Sequence, residues 1–168
     1  MKKRGTPVIE ISVEDVKWKK LGPDLPARIE RAIARTLAHE KAKGSLTLLL
    51  TDDAHLKDLN ALFRGKNKPT NVLSFPAEEN ADRYLGDIAI ALGVVKREAK
   101  EAGKTAPDHT VHLAVHGALH LLGHDHEKPR EAARMERLET EILAEFGIAD
   151  PYALPKKTGS RKSAERHG

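Results

Sequence analysis

Six of the nine histidines fall between positions 109 and 126: His109, His112, His116, His120, His124 and His126. Neutral imidazole is a preferred ligand of zinc, so a cluster this dense points first to metal chemistry. Helix geometry decides which of them can share one ion. His112, His116 and His120 recur every four residues and lie on one helical face. The rise from the first to the last of them is about 12 Å, whereas metal–nitrogen bonds are about 2.0–2.1 Å long. One ion can therefore bridge His116 and His120, and the third ligand must come from elsewhere.

Gly123 supplies the route. A glycine just past a helix can adopt the left-handed conformation and turn the chain back, which brings His126 toward the ion. The resulting spacing, His116-x3-His120-x5-His126 with the glycine between, is that of the metzincin zinc proteases, H-E-x-x-H-x-x-G-x-x-H, except at one place. Where the proteases carry a general-base Glu, this chain has Gly117. Structural zinc sites usually close with four protein ligands, often including Cys, while catalytic sites keep a position open. With no Cys and three well-spaced histidines, an open site with one zinc ion is expected. His124 is the alternative fourth ligand, although neighbouring residues along a turn usually point apart, and His109 and His112 read as ordinary surface or core histidines.

The ligands need a carrier. Residues 107–122 form a helix opened by Pro107 and Asp108 and ended by Gly123. Val111, Leu113, Val115, Leu119, Leu121 and Leu122 make it apolar nearly all round, so it belongs at the centre of the fold. Residues 8–13 alternate as a strand. Residues 23–42 carry Leu25, Ile29, Ile33 and Leu37 on one helical face and are closed by Gly44. Residues 46–51 read as a central strand, and Asp52 or Asp53 caps a helix through Leu56, Leu59 and Phe63. Strands at 70–75 and 87–92 flank a polar loop, and helices at 93–103 and 130–146 complete the chain. The order βαβαββααα predicts an α+β fold: a single domain with a small mixed β-sheet and packed helices, its zinc site on a central helix and the turn after it.

Composition narrows the setting. The 168 residues include 29 Lys and Arg against 25 Asp and Glu, a net charge of +4. Residues 155–168, with five basic side chains and one acid, carry all of it; without Lys2, Lys3 and Arg4 as well, the body is at −3. Residues 1–154 are therefore expected to form the folded domain and residues 155–168 a basic, disordered tail. The longest apolar runs, 46–50 and 88–95, fall short of the roughly 20 residues of a membrane span. No apolar segment follows the basic start. The absence of Cys excludes disulfides and thiolate chemistry. A soluble cytoplasmic protein is expected.

The run His116-Gly117-Ala118-Leu119-His120-Leu121-Leu122-Gly123-His124-Asp125-His126 resembles the signature H-G-x-L-H-L-x-G-[YH]-D-H of the YbeY family, bacterial metal-dependent endoribonucleases of ribosomal RNA maturation. A second segment, Leu59-Asn60-Ala61-Leu62-Phe63-Arg64-Gly65-Lys66-Asn67-Lys68-Pro69-Thr70-Asn71-Val72-Leu73-Ser74-Phe75-Pro76, is similar to that family's L-N-x-x-[YF]-R-x-K-D-x-P-T-D-V-L-S-F-P. Leu85-Gly86-Asp87-Ile88 and the helix with Met135, Glu139, Ile142 and Leu143 also agree. The departures are Asn67 and Asn71, where the family usually has Asp, and the basic tail.

The resemblance implies zinc held by His116, His120 and His126, hydrolysis of single-stranded RNA in 16S rRNA 3′-end processing and ribosome quality control, the ribosome or its small subunit as partner, and Arg64 as the residue important for activity. Arg64 also has a physical case: a guanidinium is a rigid fork of donors suited to phosphate oxygens. Between Asn60 and Ala77 there is no acid, while Arg64, Lys66 and Lys68 are basic, which favours the approach of phosphate. Asp125, Asp87 and Asp108 are candidates to orient the ligand histidines. A zinc metallopeptidase and a non-catalytic ribosome-associated zinc protein are the alternatives.

Overall fold

The computed structural model describes residues 8–64, 71–125 and 127–153. The two most apolar runs form its centre. Strands β2 (Ser45–Thr51) and β4 (Tyr84–Ala91) lie parallel, with Leu48 opposite Ile88 and Leu50 opposite Ile90. β1 (Ile9–Val13) pairs with β2 in parallel, and β3 (Val72–Pro76) pairs with β4 antiparallel. The sheet order is β1-β2-β4-β3. Because side chains alternate along a strand, Leu46, Leu48, Leu50, Ile88 and Ile90 enter one core, while Leu73, Ala89 and Ala91 enter a smaller one on the other face.

Helices α1 (Leu25–His39), α4 (Ala106–Leu121) and α5 (Pro129–Ala144) pack on the larger core. α2 (Asp53–Arg64) supplies Leu56 to the smaller one, and α3 (Leu92–Ala102) follows β4 directly and touches both α2 and α4. This is the expected α+β architecture, a small mixed sheet with packed helices. No described helix is long and apolar enough to cross a membrane.

Three details depart from the sequence reading. α1 is closed by Lys41 rather than Gly44. Lys41 takes φ +55, its N–H bonds Ala38 O at 3.0 Å, and the Ala42 N–H bonds Leu37 O at 2.8 Å, which together make a Schellman closure. Gly44 serves a close approach instead, since a Cβ there would lie 2.5 Å from the Arg83 carbonyl oxygen. β4 begins three residues early because the Asn80 side chain accepts from Tyr84 N at 2.9 Å and aligns Tyr84 against Ser45. A 3-10 helix at Val16–Leu21 was not foreseen; it buries Trp18, whose indole N–H donates to Thr51 O at 2.9 Å.

Candidate metal centre

α4 is the most enclosed helix of the fold. From His109 to Leu121 every residue is buried except His116 and His120, which are half-buried. The interruption comes at the i, i+4 pair singled out for metal binding. Their rings stand 4.7 Å apart, centroid to centroid, and nearly perpendicular at 79°. The helix then closes as the glycine predicts. Gly123 has φ +99, its N–H donates to His120 O at 3.0 Å, and the His124 N–H donates to Leu119 O at 3.0 Å. This Schellman closure reverses the chain immediately before His126. His126 itself lies outside the described residues, among which no three His, Asp or Glu side chains assemble a metal cluster.

The test of whether His116 suits a metal is the state of its ring. Its Nδ1 lies 2.6 Å from Glu139 Oε2, on the facing side of α5. Glu139 is fully buried. Burial pushes its carboxyl up, but hydrogen bonds from His112 and His116, and their charges, outweigh that and hold it at about 2. An ionised carboxylate only accepts hydrogen bonds, so His116 must donate from Nδ1. In the neutral ring, this leaves the Nε2 lone pair for a metal. A carboxylate behind a ligand histidine is the usual arrangement of metal sites, and the donor set fits zinc.

Glu139 accepts two further bonds at Oε1, from His112 Nε2 at 2.8 Å and from the Tyr152 hydroxyl. Sequence reasoning missed both Glu139 and Tyr152 as site residues. A signal existed: Glu139 shares the apolar face of α5 with Met135, Ile142 and Leu143, all buried, an expensive position for a carboxylate without a purpose. Two of the proposed aspartates have partners elsewhere. Asp87 accepts from the Tyr84 hydroxyl, and Asp108 pairs with Arg28 of α1 at 2.8 Å. Asp125 precedes His126 in the turn.

His124 and His109 bond carboxylates of neighbouring elements. His124 Nε2 lies 2.6 Å from Glu40 Oε1, so it ties the turn to the end of α1. His109 is buried and its Nε2 lies 2.9 Å from Glu98 Oε1. Burial lowers its pKa, the largest effect there.

Gly117, at the place of the protease base, faces the sheet. A Cβ on it would lie 2.8 Å from Ile88 Cγ2 and 3.2 Å from Ser74 Oγ. Ser74 also donates to the Gly117 carbonyl at 3.2 Å. A side chain at this point would have to displace Ile88 between α4 and the sheet, so a peptidase base here is opposed by packing and the peptidase reading is not favoured.

Comparison with known proteins gives the family. A family model described as Endoribonuclease YbeY matches residues 11–147. The chain belongs to the YbeY family. Proteins named endoribonuclease YbeY from Chelativorans sp. and Bradyrhizobium diazoefficiens are 52% and 48% identical to it over 132 and 158 residues, covering 74% and 88% of this chain and 81% and 86% of theirs. One from Cereibacter sphaeroides is 44% identical over 167 residues, covering 87% of this chain and 99% of its own. The solution structure of a Thermotoga maritima protein, at 26% identity, covers 83% of this chain and 92% of that one with a TM-score of 0.54.

Within the YbeY pattern, Arg64 is the last residue of α2; its side chain, like Lys66, Asn67 and Lys68, lies outside what is described. Asn71, a departure from the usual Asp, has a local reason. Its amide donates to both oxygens of Glu98, at 3.0 and 3.3 Å, the same carboxylate that pairs with His109. An aspartate would oppose Glu98 there. Asn71 thus ties the residue before β3 to Glu98 of α3, and easing phosphate approach is not needed to explain it.

Proposed function

We propose that this chain is a zinc-dependent endoribonuclease that cuts single-stranded RNA during ribosomal RNA maturation, including the 3′ end of 16S rRNA and ribosome quality control, in contact with the small subunit in the cytoplasm. Family membership supports the RNA hydrolase. The observation that carries the metal reading is the half-buried His116–His120 pair on an otherwise buried helix, with His116 Nδ1 tied to the buried Glu139. His116 and His120, joined by His126, would hold one zinc ion, which when bound polarises a phosphoryl oxygen and lowers the pKa of water. Arg64 would grip the non-bridging oxygens of the scissile phosphate and offset the charge that builds on them. Gly117 supplies no base, so the general base is left unassigned: a metal-activated water would need none, or a group of the substrate would act.

The test is cleavage of labelled single-stranded RNA by the zinc-loaded chain with and without chelator. Chelation and His120→Ala are each expected to reduce cleavage to background. Equal cleavage by wild type and His120→Ala would sink the proposal. Arg64→Ala is expected to lower kcat by about 10²-fold; full activity would remove Arg64 alone and leave the zinc assignment standing. Residues 155–168 lie outside the described part except for what their sequence states, a net charge of +4. Trimming the chain at Pro155 is expected to weaken RNA binding, most visibly at low salt, without abolishing cleavage.

A further inference from the structure

We infer that Tyr152 is a positioning residue of the metal centre: its hydroxyl fixes the Glu139 carboxylate and so decides which nitrogen of His116 is left for a metal. The inference rests on the reading of His116 and His120 as ligands.

Tyr152 stands in the segment after α5. The chain leaves that helix at Gly147, with φ +76, and sets Ile148 into the core. The next residues are anchored twice over. Thr140 of α5 donates to Asp150 Oδ1 at 3.1 Å, the same oxygen accepts from Tyr152 N at 2.8 Å, and Lys104 Nζ donates to Pro151 O at 3.2 Å. These contacts aim the tyrosine inward. Its ring meets His112 edge-on, with centroids 5.6 Å apart and an interplanar angle of 88°, and its hydroxyl donates to Glu139 Oε1.

The residue is 42% exposed overall, so its polar tip, rather than its bulk, is what the fold places inside. A surface tyrosine has no need to reach a carboxylate that is fully buried. The two oxygens of Glu139 are not equivalent. Oε1 takes both the Tyr152 hydroxyl and His112 Nε2, while Oε2 faces His116 Nδ1 alone. Two donors on Oε1 hold the carboxylate plane, and the plane points Oε2 at His116. With one donor removed, Oε1 keeps only His112 among the described donors, and the carboxylate plane is held less tightly. His116 Nδ1 then faces a less well aligned acceptor, and the tautomer in which Nε2 carries the proton and cannot ligate gains population. Burial, and then the charge of Glu139, push the phenol up, so the hydroxyl stays a donor across the neutral range.

Tyr152→Phe in the full chain isolates the hydroxyl, since the ring contact with His112 is kept. Two measurements read it. Zinc affinity, by competition with a chelating dye, is expected to fall about tenfold, as for other outer partners of ligand histidines. In metal-free protein labelled with 15N-histidine, His116 is expected to be a single Nδ1–H tautomer in wild type and a mixture in the variant. Unchanged affinity together with an unchanged His116 spectrum would overturn the inference. Ile148→Ala serves as the structural control, because it loosens the same segment while keeping the hydroxyl. If it weakens zinc binding as much as Tyr152→Phe at an equal loss of Tm, the role is packing and the inference is wrong. If wild type binds no zinc, yet its His116 is locked and the variant's is not, the metal reading fails while the positioning of His116 stands.

Discussion

Glu139→Gln is expected to weaken zinc binding by about 10- to 100-fold while leaving the fold assembled. Glutamine matches the shape of the carboxylate but offers one acceptor oxygen and one donor NH2. It would face three donors, from His112, His116 and Tyr152, so at least one must reorganise. The histidine that changes tautomer to accept from the new NH2 loses its lone pair on the far side, and for His116 that is the lone pair a metal needs. Glu139→Ala is expected to be harsher, costing about 3–5 kcal/mol, as for other broken buried pairs. The pH dependence has a definite sign. The carboxyl titrates at about 2 in the folded protein against an ordinary 4.5, so its contribution is fully present above about 4.5 and is lost as the pH falls toward 2. Urea melts of wild type between pH 7 and 2 should contain this loss, and melts of Glu139→Gln should lack it. Zinc affinity equal to wild type in the glutamine variant would mean that Glu139 does not orient His116.

The second large effect is expected at Gly117. In an exposed helix, Gly→Ala would stabilise by about 1 kcal/mol. Here the added methyl would lie 2.8 Å from Ile88 Cγ2 and 3.2 Å from Ser74 Oγ. Ile88 is fully buried at the centre of the sheet and has little room to shift. Overpacking of this kind costs about 1–3 kcal/mol, so the sign reverses and Gly117→Ala is expected to be less stable than wild type by about 1–2 kcal/mol. Gly117→Glu, which would restore the protease pattern, should lose more, because the carboxylate would be driven between α4 and the sheet, and it should gain no peptide hydrolysis. Chemical denaturation reads the first outcome and a fluorogenic peptide the second. An alanine variant at least as stable as wild type would mean that α4 can lift from the sheet.

What could be read from the sequence and what could not divide along one physical line. Local periodicity revealed the helix pair His116 and His120, the reversing Gly123, and the order of strands and helices, because each depends on residues a few positions apart. The partners of the histidines depend on tertiary packing. Glu139 meets His116 across 23 positions and Glu40 meets His124 across 84, and no spacing rule links such residues. The aspartates near the motif were the natural guess for orienting ligands, yet two of them are taken up by Tyr84 and Arg28. The end of α1 failed for a different reason. Glycine is the usual residue in a left-handed closure, but a lysine adopts it when the flanking bonds demand it, as Lys41 does. The net charge was informative only once divided, since residues 155–168 carry all +4 of it and residues 1–154 sum to zero.

The enclosure of α4 has a consequence in time. A segment whose residues are almost all buried opens only when most of the molecule opens, so His116 and His120 sit on one of the slowest parts of the structure. The brace behind His116 ends at Tyr152, in a segment where Ala149, Asp150, Tyr152 and Ala153 are exposed, and such segments open at small cost. The release of an ion held by His116 and His120 would then follow brief openings of the few residues after α5, and would need no unfolding of the core.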